Sequence, residues 1–247
     1  MRLLALVCLA GTLVLNVLAN RLPLGGRTTG ELSALYPNLF VPAGVTFSIW
    51  GVIYLLLMAW AVAQFLPGRR AIALRIAPAF AVTSLLNAGW LLAWHFQQVG
   101  LSVVVMVALL LVLLRVNHLL VASAGTPSEG AGTLPRAAFG VYLGWISVAT
   151  IANATALLVA LEWSGAGVPD AVWAGILVGV GAAAGAFTVN RFQNPWVGWA
   201  VAWALLGIVM NRWDDHVGIA ATALVLMVLV AVVAVVAARS PHLEPAD

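Results

Sequence analysis

From Leu101 to Leu114 the chain carries no charge and a single polar residue, Ser102, and this run is one of eight. A stretch of about 20 apolar residues is what a helix needs to cross the hydrocarbon core of a bilayer. Charged and turn-forming residues bound the eight stretches at 3–19, 46–66, 72–94, 101–121, 137–161, 171–188, 196–210 and 218–237. The seventh is short and draws on flanking Trp residues at the interface. Transmembrane β-strands alternate apolar and polar residues over about ten positions, and Leu101–Leu114 does not alternate. The sequence therefore predicts an all-α, polytopic membrane helix bundle of about eight transmembrane helices. These spans use nearly the whole length and leave no room for a soluble catalytic or nucleic-acid-binding domain.

Charge confirms the setting and limits the partners. Charged residues are 8% of the chain, against roughly 25% in soluble domains. All eleven basic residues are Arg and the net charge is only +3, so no basic patch invites nucleic acid. The single cysteine, Cys8, excludes an internal disulfide framework and a multi-cysteine metal site. The first stretch has a competing reading as a signal peptide, because Arg2 precedes an apolar run ending near Ala19 and Asn20.

If all eight stretches span, both termini share a side. Arg2, Arg69, Arg70, Arg75, Arg115, Arg136, Arg191 and Arg239 fall on that side, against Arg21, Arg27 and Arg212 on the other. The positive-inside rule then places both termini in the cytoplasm. Short loops and arginine-only basicity suit a bacterial inner membrane.

Two connections are long. Asn20–Val45 carries Pro23, Gly25, Gly26, Pro37 and Pro42 with Tyr36 and Phe40, and loops of this length are usually functional or disordered. Its aromatics favour a lid lying on the bundle. Ser123–Pro135, rich in Gly, Ser and Thr, reads as a flexible linker.

Tryptophan is over-represented, with eleven residues. Trp60, Trp94, Trp163, Trp173, Trp196 and Trp213 sit near span ends, where an interfacial belt accounts for them. Trp145 lies well inside its helix, sharing a face with Tyr142, Ala149 and Asn153. Trp50 and Tyr54 are four apart on the second span, and Asn87, Trp90 and Trp94 form a stripe on the third. Three helices thus offer aromatic faces with polar tips, which suits either a flat apolar ligand or helix packing with Asn87 and Asn153 as interhelical hydrogen-bond glue.

Other chemistry is thinly represented. His95 and His118 are separated by one helix and fall near opposite faces, which disfavours bis-histidine haem. Asp214, Asp215 and His216 lie together in a loop, but adjacent residues rarely converge on one ion, and a solvated loop is the better reading. No intramembrane acid accompanies any Ser and His pair, so no catalytic residue and no metal site are expected. Arg75 and Arg115 lie near span ends, where they can snorkel.

The segments Pro42-Ala-Gly-Val-Thr-Phe-Ser-Ile-Trp50-Gly-Val-Ile-Tyr54, Asn87-Ala-Gly-Trp90 and Tyr142-Leu-Gly-Trp145-Ile-Ser-Val-Ala-Thr-Ile-Ala-Asn153 resemble the TspO/MBR family of tryptophan-rich sensory and translocator proteins. The resemblance covers residues 1–161 and implies a five-helix bundle whose loop 20–45 lids a pocket for porphyrins, tetrapyrroles, sterol-like or isoprenoid-like ligands. It implies a ligand site at Trp50, Tyr54, Asn87, Trp90, Trp145, Ala149 and Asn153, with the asparagines orienting the ligand's polar edge. No resident cofactor is implied beyond a porphyrin held as ligand. The other partners would be the lipid bilayer and, as an assembly, a homodimer. Ser48 stands where the family has proline, and Gly44 where an aromatic often follows, so the pocket mouth differs. Residues 162–247 add three spans on which the motifs are silent. In these, Gly175, Gly179, Gly181 and Gly185 mark a packing helix, and Trp196, Trp199 and Trp203 form a stripe that lines a second pocket or faces lipid. A sensory or binding protein is the leading expectation. The alternatives are a small-molecule transporter, with Pro78 as a helix break, and a membrane enzyme centred on Asp214 and Asp215.

Overall fold

The computed structural model describes residues 1–21, 26–123 and 132–239. Most of the expected linker, 124–131, and residues 22–25 of the first loop lie outside the described residues. Among the described residues there are nine α-helices and no strand: α1 Arg2–Arg21, α2 Thr29–Ser33, α3 Ile49–Ala63, α4 Arg70–His95, α5 Val99–Val121, α6 Thr133–Ala160, α7 Asp170–Phe192, α8 Pro195–Arg212 and α9 Val217–Arg239. In hydrocarbon, backbone groups have no water to bond, so apolar stretches close their hydrogen bonds internally as helix. Seven helical segments are long and apolar enough to cross a membrane.

α8 is the exception, and the seventh apolar stretch is the one that forms it. Its tryptophans, its glycines and the terminal Asn211-Arg212 pair lower its mean hydropathy. It compensates by packing: α9, α6 and α7 all lie against it. Val197, Ala200, Val201, Ala204, Leu205 and Ile208 are almost wholly buried; they recur at helical spacing and form one apolar stripe facing the bundle. Small residues allow the approach. A Cβ on Gly144 of α6 would press on the Val197 carbonyl and lie 2.8 Å from the Ala200 Cβ, and one on Gly185 of α7 would lie 2.9 Å from Val201 Cγ1. Gly175 and Gly179 meet no such neighbour, so half of the glycine stripe serves the packing role expected of it.

Asparagines pin the same junction at the end where α8 begins. Asn194 Oδ1 accepts from the Trp196 amide at 3.2 Å and caps the helix, with Pro195 at the first helical position, where its missing N–H costs nothing. Asn194 Nδ2 donates to Asn117 Oδ1 at 3.1 Å and to the Arg136 carbonyl at 2.9 Å, and Asn117 Nδ2 donates to the Phe139 carbonyl at 3.1 Å. One polar cluster therefore joins α5, α6 and α8.

From Gly26 onward the first loop is held by local hydrogen bonds. Thr28 and Glu31 form a reciprocal capping box that starts α2. Asn38 holds a tight turn, accepting from the Phe40 amide at 3.1 Å and donating to the Tyr36 carbonyl at 2.9 Å. A 3-10 turn over Gly44–Ser48 then feeds directly into α3.

A tryptophan-walled cavity beneath the first loop

Residues from four helices and the loop enclose a cavity. Trp50 of α3, Trp90 and Trp94 of α4, Met106 of α5, and Trp145, Ala149 and Asn153 of α6 form its walls, while Thr29, Ser33, Pro42 and Phe47 form its roof. Tyr54, Trp50, Trp90 and Trp94 build a continuous stacked column, with centroid separations of 5.4, 5.9 and 6.1 Å and interplanar angles of 25°, 23° and 16°. Trp145 stands edge-on to Trp50 and to Phe47, at 6.4 and 5.6 Å. Both geometries satisfy the ring quadrupole.

The space open to the centre of a water molecule is about 40 Å³, and one water needs roughly 10–15 Å³. The cavity therefore holds a few waters as it stands, and a larger guest requires the roof to lift. Outside the roof lies a wider vestibule of about 460 Å³, bounded by Tyr36, Asn38, Asn211 and Arg212 and sharing Ser33, Pro42 and Phe47 with the inner cavity.

Five of the seven residues expected at the site, Trp50, Trp90, Trp145, Ala149 and Asn153, line the cavity. Tyr54 and Asn87 sit one layer deeper. Asn16 Nδ2 donates to the Tyr54 hydroxyl at 3.1 Å, that hydroxyl donates to Asn87 Oδ1 at 3.4 Å, and Asn87 Nδ2 donates to the Tyr142 hydroxyl at 2.8 Å. Asn153 is engaged at both ends, accepting from Trp90 Nε1 at 2.8 Å and donating to Ser102 Oγ at 2.8 Å. The asparagines bind helix to helix, as the packing reading expects, and the aromatics wall the space.

The polar groups left over are others. Trp145 is 2% exposed and its Nε1–H has no hydrogen-bond partner; Thr29, also buried, has an unpartnered Oγ1. Buried polar groups are nearly always paired, so two orphans among the residues lining one cavity, Trp145 in its wall and Thr29 in its roof, are informative. The mid-helix position of Trp145 signalled it in the sequence, whereas nothing in the pattern around Thr29 did. Trp94 and Trp60 depart from the interfacial belt assigned to them. Trp94 forms cavity wall and donates to the Thr29 carbonyl at 3.3 Å, and Trp60 is fully buried. His95, expected at the interface, is also buried; its Nδ1 lies 2.8 Å from the Leu91 carbonyl, which can only accept, so Nδ1 carries the proton. Between α8 and α9, desolvation raises the Asp215 carboxyl, but hydrogen bonds from His216 and Arg212 outweigh it and hold Asp215 below the usual range.

This is a polytopic integral membrane protein with an aromatic cavity closed by its first loop. The family model described as TSPO-like protein matches residues 2–236, and the chain belongs to that family. The match runs on through α7 and α8 into α9, beyond the residue 161 at which the motifs stop. No curated protein and no solved structure gives a significant match.

Proposed function

We propose that this protein is a membrane sensory or binding protein that holds a flat hydrophobic ligand, of porphyrin, tetrapyrrole or isoprenoid-like type, between the tryptophans beneath its first loop. The observation that carries the reading is the unpartnered Nε1–H of Trp145, a residue that lines an aromatic cavity. A ligand that packs along the edge of the Trp50–Trp90 column and presents an acceptor to Trp145 would satisfy a donor that the empty protein leaves unpaired. Thr29 Oγ1 offers a second contact from the roof. The small cavity volume fits a closed state that opens to admit ligand, and loop closure over a bound ligand would be the signal. The arginine distribution supports a bacterial inner membrane with both termini cytoplasmic. A homodimer is the assembly proposed.

The test is quenching of tryptophan fluorescence by protoporphyrin in detergent micelles, for the natural protein and for a Trp50→Phe, Trp145→Phe variant. Saturable quenching weakened in the variant is the expected result. Quenching that does not saturate, or that ignores the substitutions, would remove the porphyrin site.

A further inference from the structure

We propose that α8 is the latch of the cavity: Trp203, Gly207, Asn211 and Arg212 are positioning residues that hold the strap 38–46 of the first loop closed over the site. This rests on the ligand reading above for its purpose, but not for its geometry. Four hydrogen bonds join the two elements. Arg212 Nη2 donates to the Asn38 carbonyl at 3.2 Å, Asn211 Nδ2 to the Val41 carbonyl at 2.9 Å and Trp203 Nε1 to the Thr46 carbonyl at 2.9 Å. In the opposite direction, the Ala43 amide donates to the Gly207 carbonyl at 2.9 Å.

Residues 203, 207 and 211 recur every four positions and so form one stripe along the helix. The stripe faces the strap. A Cβ on Gly207 would press on the Thr46 side chain and lie 2.8 Å from Pro42 Cβ, so the strap seats where α8 lacks a side chain. Every bond from α8 ends on the strap's main chain. The latch therefore reads the path of the backbone, and it holds only when the strap is in its closed conformation.

Among the described residues, no helix that walls the cavity donates a hydrogen bond to this strap; Trp94 bonds instead to Thr29, before it. Of the residues shared between the cavity and the vestibule, Pro42 lies between the latched positions 41 and 43, and Phe47 directly follows the latched position 46. Releasing α8 frees the partition between the two spaces.

The measurement is hydrogen exchange of the strap amides in the full chain in nanodiscs, comparing the natural protein with Trp203→Phe, Asn211→Ala. Each lost bond is worth about 1 kcal/mol, or roughly fivefold. The expected result is strap exchange faster by about tenfold or more, with α4 and α6 peptides unchanged. The Thr222→Val variant, on the far helix α9, serves as control. Strap exchange equal to that of the natural protein would overturn the latch. Should the double variant fail to fold, Trp203→Phe and Asn211→Ala singly are each expected to give about half of the logarithmic effect, and no change in either counts against the proposal. Protoporphyrin association, followed in the same samples, separates the two claims. Faster strap exchange without porphyrin binding in any form keeps the latch and removes the porphyrin site. Normal binding with unchanged exchange does the reverse.

Discussion

Trp90 and Trp145 make a matched pair in which the same substitution has different consequences. Both are nearly buried, at 6% and 2% exposure. Each pairs with two other rings, Trp90 with Trp50 and Trp94, Trp145 with Phe47 and Trp50. Truncating either indole to Phe thus costs similar packing. The polar terms differ in sign. Trp90→Phe breaks the 2.8 Å bond to Asn153 and leaves a buried carbonyl unpaired, which costs about 1–3 kcal/mol. Trp145→Phe deletes a donor that was already unpaired and relieves a penalty of the same order. The ligand-free Trp145→Phe protein should therefore be more stable than Trp90→Phe by at least ~1 kcal/mol. Unfolding in mixed micelles of mild detergent and dodecyl sulfate, followed by circular dichroism, measures the difference. Protoporphyrin affinity should nevertheless fall in Trp145→Phe by roughly 2- to 13-fold, the worth of one hydrogen bond. If the empty Trp145→Phe protein is as unstable as Trp90→Phe, then Trp145 Nε1 has a partner and the argument built on its orphan state fails.

Three further outcomes are expected. Gly144→Ala should destabilise the bundle by about 1–3 kcal/mol through overpacking, whereas Gly179→Ala, whose Cβ meets nothing within 4 Å, should be neutral or stabilising; equal unfolding midpoints would refute the close α6–α8 contact. The Thr28 amide, and then the Thr28 hydroxyl, hold the Glu31 carboxyl below its ordinary 4.5. Its folded pKa is thus lower than its unfolded one, so its support for the α2 cap is complete above 4.5 and fades as pH falls through the lowered value. Exchange of α2 amides, corrected for intrinsic rate, should rise only in that acid window, and Glu31→Gln should abolish the dependence. In a Cys8→Ala background, a cysteine at the C-terminus should resist an impermeant maleimide in intact cells while Asp214→Cys reacts; the opposite pattern would reverse the orientation drawn from the arginines.

Most of the fold was legible because lipid accepts so few solutions: an uninterrupted apolar run has little choice but helix. Tyr142, Trp145, Ala149 and Asn153 were legible for a related reason, since helical spacing fixes which residues share a face before any partner is known. What could not be read was occupancy of those faces. The sequence places Asn87 and Asn153 beside a space, but their partners Tyr142 and Ser102 come from other helices, and those bonds decide that the amides serve packing. Trp60 and His95 sit where an interface would put them by position, and only the neighbouring helices bury them. The bonds between α8 and the strap were invisible in principle. They end on main-chain carbonyls, which every residue possesses, and join positions more than 150 residues apart in the chain.

α8, packed against α6, α7 and α9, is also the long helix least suited to entering a bilayer alone. Among the described residues every other long helix is long and apolar enough to cross a membrane, but α8, with three tryptophans and a polar end, falls short in mean hydropathy. Its partner α9 has a mean hydropathy of 3.1 and is the most apolar span of all. During biogenesis α8 therefore depends on a segment synthesised after it, and insertion of the two as a hairpin is the physically favoured route. A ribosome pausing between them would leave a helix exposed that has no stable home.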